Sequence, residues 1–184
     1  MHPDAWLVVI DPQRIFAAPD SDWGSPMFPA IVEPVRRLAA AAGPRTVVTR
    51  WVAPRPAHGS WAAYLEAWPF ADVPADDRLF DVVDELADLT ATVVTEPTFG
   101  KWGPGLVAVT GATPRLVLAG VATDCCVIST ALAAADAGAT ITVVSDACAG
   151  STPDNHQKAL DVMSLYPPQI TIATTSEVLA EVLG

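Results

Sequence analysis

The chain has 184 residues, a length that suits one domain over 1–184 with a sizeable core. Half of it is apolar (51%) and its mean hydropathy is positive, yet a run such as Trp6–Ile10 falls far short of the roughly 20 residues of a membrane span. Ten Lys and Arg against 21 Asp and Glu leave a formal charge of −11, which argues against nucleic acid or an anionic membrane as a partner.

No basic segment followed by a longer apolar one opens the chain, so a cytoplasmic location is expected. Three cysteines are an odd number for a disulfide framework. His2, His58 and His156 lie far apart, and neither Cys-x-x-Cys nor His-x-x-x-His occurs, so neither a metal nor another cofactor is expected.

The first strand predicted is Trp6–Ile10, and it ends in Asp11. An acid there suits a base, a metal ligand, a nucleophile or a helix cap. An aspartyl phosphotransferase would want Asp-x-Asp, but Gln13 stands at the second place. A dinucleotide-binding turn is absent too, since no glycine precedes Gly24. A helix over Pro29–Ala42 is stopped by Gly43-Pro44, and a strand follows at Thr46–Arg50. From Trp51 to Arg78 the chain is rich in aromatics (Trp51, Trp61, Tyr64, Trp68, Phe70) and broken by Pro54, Pro56, Pro69 and Pro74. Such a segment is expected to fold over a pocket or a neighbouring subunit.

A helix over Leu79–Leu89 is predicted next, with the acidic stretch Asp72–Asp88 as solvated surface. The strand Thr92–Thr95 leads to Thr98-Phe99-Gly100-Lys101-Trp102-Gly103-Pro104-Gly105, which holds one of only two lysines. An ammonium at a strand end would hold a carboxylate or thiolate in its charged form. After a short helix at Gly105–Val109, the strand Leu116–Ala119 runs into Gly120-Val121-Ala122-Thr123-Asp124-Cys125-Cys126-Val127 and a helix over Cys125–Ala137, ended by Gly138. A thiol in that turn meets the unpaired N–H groups of a helix start, which favour thiolate and can receive an oxyanion. Position alone does not choose between Cys125 and Cys126. Strand Thr140–Ser145, helix Asp154–Leu165, strand Gln169–Ala173 and helix Ser176–Leu183 complete the series. Continuous apolarity in the strands suits burial on both faces. Strict alternation predicts a three-layer, doubly wound α/β fold around a mainly parallel sheet of about six strands.

Three strand ends thus gather an acid, a cation and a thiol at one rim. These residues closely resemble the isochorismatase-like cysteine hydrolases, from Val8-Val9-Ile10-Asp11 through the Lys101 loop and the cysteine motif to Thr130-Ala131-Leu132, Gly138 and Val144-Ser145-Asp146-Ala147. The resemblance selects Cys126, which directly precedes the valine. It implies a triad of Asp11, Lys101 and Cys126, a cis peptide between Val121 and Ala122, and an oxyanion hole from the N–H groups of Ala122 and Cys126. The implied reaction is hydrolysis of a C–N bond through a thioester. Nicotinamidase-like members carry Asp and His metal ligands after the second strand, where this chain reads Thr49-Arg50-Trp51-Val52-Ala53-Pro54. The carbamoylsarcosine amidase-like branch therefore fits best. Isochorismatase-type vinyl ether hydrolysis and a catalytically idle binding protein are the alternatives. Arg50 or Arg55, with Phe16, Trp51 and Trp102, is expected to shape the pocket for a carboxylate-bearing small molecule. The aromatic segment, together with the resemblance, predicts a homo-oligomer, a dimer or tetramer.

Overall fold

The computed structural model describes residues 1–180. Six strands form one all-parallel sheet: β1 (Ala5–Ile10), β2 (Thr46–Trp51), β3 (Thr92–Glu96), β4 (Arg115–Val121), β5 (Thr140–Ala149) and β6 (Ile170–Ala173). Their order is β3-β2-β1-β4-β5-β6. The chain adds strands outward from β1 in one direction, then returns to its other side at β4. The switch point therefore lies between β1 and β4, where a parallel sheet opens a crevice beyond its carboxyl ends.

The helices are α1 (Arg14–Ala17), α2 (Phe28–Ala42), α3 (Ser60–Ala67), α4 (Pro104–Thr110), α5 (Ile128–Asp136), α6 (Pro153–Met163) and α7 (Thr175–Ala180). Side chains alternate across β1, so Leu7 and Val9 pack with α2 and α7 while Val8 and Ile10 pack with α4, α5 and α6. The sheet is thus covered on both faces, as continuous apolar strands require. In α2 the buried positions Phe28, Ile31, Val35, Leu38, Ala39 and Ala42 follow the helical period, and Gly43 ends it at φ 57°. No helix among the described residues is long and apolar enough to cross a membrane.

Three sequence expectations differ from this fold. The helix predicted over Leu79–Leu89 is instead two single 3₁₀ turns, Arg78–Phe80 and Asp84–Leu86. Its backbone is drawn into extended pairing with the segment after β1: Asp81 C=O accepts from Arg14 N–H (2.9 Å) and Val83 N–H donates to Pro12 C=O (2.9 Å). Helix α3 was not foreseen, because it buries only Leu65 and shows little amphipathic pattern. The last predicted helix, Ser176–Leu183, is realised as α7, and its residues beyond 180 lie outside the described ones. Strand β5 also outruns its expected end at Ser145, reaching Ala149 after a register shift against β4 between Leu118 and Gly120.

Gly120 sits in β4 beside β1 at φ 108°, and a Cβ there would lie 2.2 Å from Ile10 O. Only a residue without a side chain lets the two strand ends approach this closely. Gly120→Ala should therefore destabilise the fold by about 3 kcal/mol or more in urea unfolding, because both strain and a backbone clash must be relieved.

Candidate active site

The carboxyl ends of neighbouring strands each deliver one polar group. Asp11 follows β1 at φ 45°, a left-handed conformation unusual for a residue with a side chain. Its N–H donates to Thr49 Oγ1 on β2 (3.1 Å), and Thr49 Oγ1 donates in turn to Asp11 Oδ1 (2.7 Å). The other oxygen, Oδ2, lies 3.1 Å from Lys101 Nζ, and both side chains are 0% exposed. Beyond this ion pair Oδ2 receives no hydrogen bond of good geometry. Lys101 comes from the loop after β3, where Nζ donates to Thr98 C=O (2.5 Å) and reaches Glu96 C=O at 3.5 Å.

Cys126 lies in a wide turn, Thr123–Val127, in which Val127 N–H reaches back to Ala122 C=O at 3.0 Å before α5 begins. The preceding peptide, Val121–Ala122, is cis. Cys126 is 3% exposed, and its thiol and the Asp11 carboxyl each perturb the other's titration. Thr130 on α5 ties the two loops together: its Oγ1 accepts Lys101 N–H (2.9 Å) and donates to Cys126 C=O (2.7 Å). Asp11, Lys101 and Cys126 are thereby brought together, from positions 90 and 115 residues apart along the chain by difference of their numbers.

The electrostatics run against a ready-made thiolate. The Cys126 thiol is pushed well above the usual range by its hydrogen bond with Cys125, by burial and by the Asp11 charge, with Lys101 opposing. Asp11 is itself raised, chiefly by burial, against the Lys101 charge and the Thr49 hydroxyl. At rest the proton therefore sits on sulfur, beside a carboxylate with heightened affinity for it. The pull of a helix start toward thiolate is opposed here by Cys125, by burial and by the neighbouring anion. Cys148 is also buried, with its thiol pushed up to about 12 by burial and by Asp146.

A cavity of about 220 Å³ opens onto this site, lined by Phe16, Trp23, Trp51, Tyr64 and Phe99 and, on the reactive side, by Ala122, Asp124, Cys125 and Cys126. Phe16 and Trp51 were expected in its wall, and the two expected oxyanion residues face it as well. Arg50, Arg55 and Trp102 do not line it. Arg50 Nε donates to Phe80 C=O (3.1 Å), since successive strand residues point to opposite faces and Trp51 takes the inward place. Arg55 pairs with Asp72 (2.7 Å) at the surface, and Trp102 packs against the core layer under α5. Tyr64 beside the thiols is pushed up to about 12 by burial, with Cys125 and Cys126 adding.

Several participants escaped sequence reading. Gln13, fully buried, donates to Trp51 C=O and Phe80 C=O (both 2.8 Å) and accepts Trp51 N–H (2.7 Å), which fixes the cavity wall. Thr49, Trp23 and Phe99 were equally unassigned, and Tyr64 was foreseen only as part of the aromatic segment. The aromatic segment closes on its own chain, with Trp61 and Tyr64 against Phe99 (4.9 and 5.5 Å between centroids) and Phe70 against Trp23 (4.9 Å). Among the described residues no group of three or more His, Cys, Asp or Glu is arranged to hold a metal.

Removing the cation isolates the anion. In Lys101→Met the Asp11 carboxyl, already raised, should rise further above its unfolded value near 3.9. The folded state then binds the extra proton, so stability falls as pH climbs between the two values, by about 1.4 kcal/mol per unit. Urea unfolding should show a deficit of about 3–5 kcal/mol near pH 7 that shrinks toward pH 4, and Asp11→Asn in the same background should recover most of it. A deficit independent of pH contradicts this account of the pair.

The arrangement can be set beside known proteins. Residues 5–177 match the model of the isochorismatase domain. No curated protein matches the chain. Among solved structures, a cysteine hydrolase from Pseudomonas syringae pv. phaseolicola 1448A superposes with a TM-score of 0.81 at 19% identity, covering 100% of this chain and 94% of that one. An isochorismatase family protein from Desulfovibrio vulgaris subsp. vulgaris str. Hildenborough gives 0.76 at 20% identity, covering 98% of each. A MAR1 ribonuclease from Caenorhabditis elegans gives 0.73 at 21%, covering 98% of this chain and 82% of that one. At such identities the structural likeness speaks for the fold, while the domain match extends from β1 into α7. This chain belongs to the isochorismatase family.

Proposed function

We propose that the chain is a cysteine-dependent amidohydrolase acting on the C–N bond of a small amide or ureide. The observation that carries this reading is the fully buried Asp11–Lys101 pair next to the Cys126 thiol, at the mouth of an aromatic cavity. Asp11 takes the thiol proton as sulfur attacks the carbonyl carbon, and Lys101 keeps the carboxylate charged until then. The N–H groups of Ala122 and Cys126 receive the oxyanion. Asp11 returns the proton to the departing amine, leaving a thioester, and water, deprotonated by Asp11, releases the acid.

Vinyl ether hydrolysis is the second reading, favoured by the raised proton affinity of Asp11, which suits an acid acting without the thiol. The chain is further proposed to work in the cytoplasm without metal or other cofactor. The charge of −11 argues against an RNA substrate. A homo-oligomer also remains proposed; most of the aromatic segment packs inward, and exposed Trp68, Val93, Val162, Leu165 and Tyr166 are the apolar surface left to carry it.

Ammonia release from a panel of small amides and ureides, beside isochorismate, tests the reading. Cys126→Ala should lower amide turnover by about three orders of magnitude or more, whereas Cys125→Ala should leave it measurable. Retained isochorismate cleavage by Cys126→Ala would favour the second reading. Activity should fall on acidification through the Asp11 pKa, which lies above the ordinary carboxylate value, and Asp11→Asn should abolish turnover.

A further inference from the structure

The cavity has a charge character that the proposed reaction does not require. Asp22 and Asp124 both line it, and no lysine, arginine or histidine does. Asp124 accepts from Ser151 N–H (2.8 Å) and Ser151 Oγ (2.7 Å), which are neutral donors and leave its charge uncancelled. Asp22 is exposed at the rim, and among the described residues no ion pair engages either carboxylate. The buried Lys101 ammonium is committed to Asp11.

Aromatic rings line the same cavity. Trp23, next to Asp22, lies parallel to Phe16 (6.1 Å, 3°) and edge-on to Trp51 (5.7 Å, 65°). Aromatic faces attract cations through their quadrupole, and a carboxylate at the rim adds to the attraction. An anionic substrate would meet two like charges and no counter-charge, which overturns the carboxylate-bearing substrate expected from Arg50 and Arg55.

We infer that the cavity selects a substrate whose non-reacting part is a compact apolar body bearing a positive charge, an ammonium or quaternary ammonium. The inference rests on the amidohydrolase reading only in calling that ligand a substrate.

Three phenols of similar size, 3-(trimethylammonio)phenol, 3-tert-butylphenol and 3-hydroxybenzoate, test it by tryptophan fluorescence titration at low salt. Protection of the half-buried cavity thiol Cys125 from iodoacetamide confirms the site. The ammonium should bind roughly 10-fold more tightly than its neutral isostere, and the carboxylate more weakly than either. Asp22→Asn, which breaks no side-chain hydrogen bond or ion pair among the described residues, should narrow the cation-to-neutral ratio to about 3-fold, and added salt should do the same. A ratio of one or below overturns the inference, as does a ratio unaltered in both Asp22→Asn and Asp124→Asn variants that melt like the parent. Binding is read here without turnover, so failure of every amide to be hydrolysed would sink the proposed reaction and leave this result standing.

Discussion

The ion pair between Asp11 and Lys101 sets the terms for everything around it. Two charges without solvent contact cost several kcal/mol each to bury, and their attraction offsets this only when remaining polar atoms are also satisfied. Thr49 serves one carboxylate oxygen and the Thr98 carbonyl serves the ammonium. Those partners come from β1, β2 and the loop after β3, and Cys126 follows β4. These four strands are neighbours in the order β3-β2-β1-β4, so parallel pairing alone brings all four carboxyl ends to one rim. The close approach of Gly120 to Ile10 then lets the cysteine turn begin directly beside Asp11.

The same burial bears on the state of sulfur. A helix start offers about 0.3–1 kcal/mol toward a negative charge, up to about 2 in favourable sites, whereas taking a charge out of water shifts titration by several units. The Cys125 side chain, burial and the anion alongside all act against the thiolate, and the Cys126 thiol is raised. A protonated sulfur beside a carboxylate of raised affinity makes proton movement part of the attack instead of a condition met beforehand. It also protects the thiol from casual alkylation and oxidation, since thiolate is the reactive form.

Much of this was legible in the sequence. Strand runs followed from apolar stretches of four to six residues, and strand ends in an α/β alternation are the natural place to look for reactive groups. Asp11, Lys101 and the cysteine pair stood out because each was chemically out of character with its surroundings, and the family resemblance selected Cys126 within the pair. What stayed hidden depended on contacts across long separations. The pairing of Asp81 and Val83 with the segment after β1 replaced a helix whose local spacing looked sound. Gln13 resembled any surface glutamine until its three bonds to Trp51 and Phe80 made it part of the wall. The arginines after β2 promised a carboxylate site, but which neighbour points inward is a matter of strand phase, and Trp51 held that place.

Thr130 offers a last consequence. One hydroxyl oxygen is the shared reference for the backbone at Lys101 and at Cys126. Two loops anchored separately would accumulate independent errors in their separation; anchored on a common atom, they move as a linked pair. A change at that one hydroxyl would reach the ammonium loop and the cysteine turn at once, so a single position on α5 holds two sides of the site.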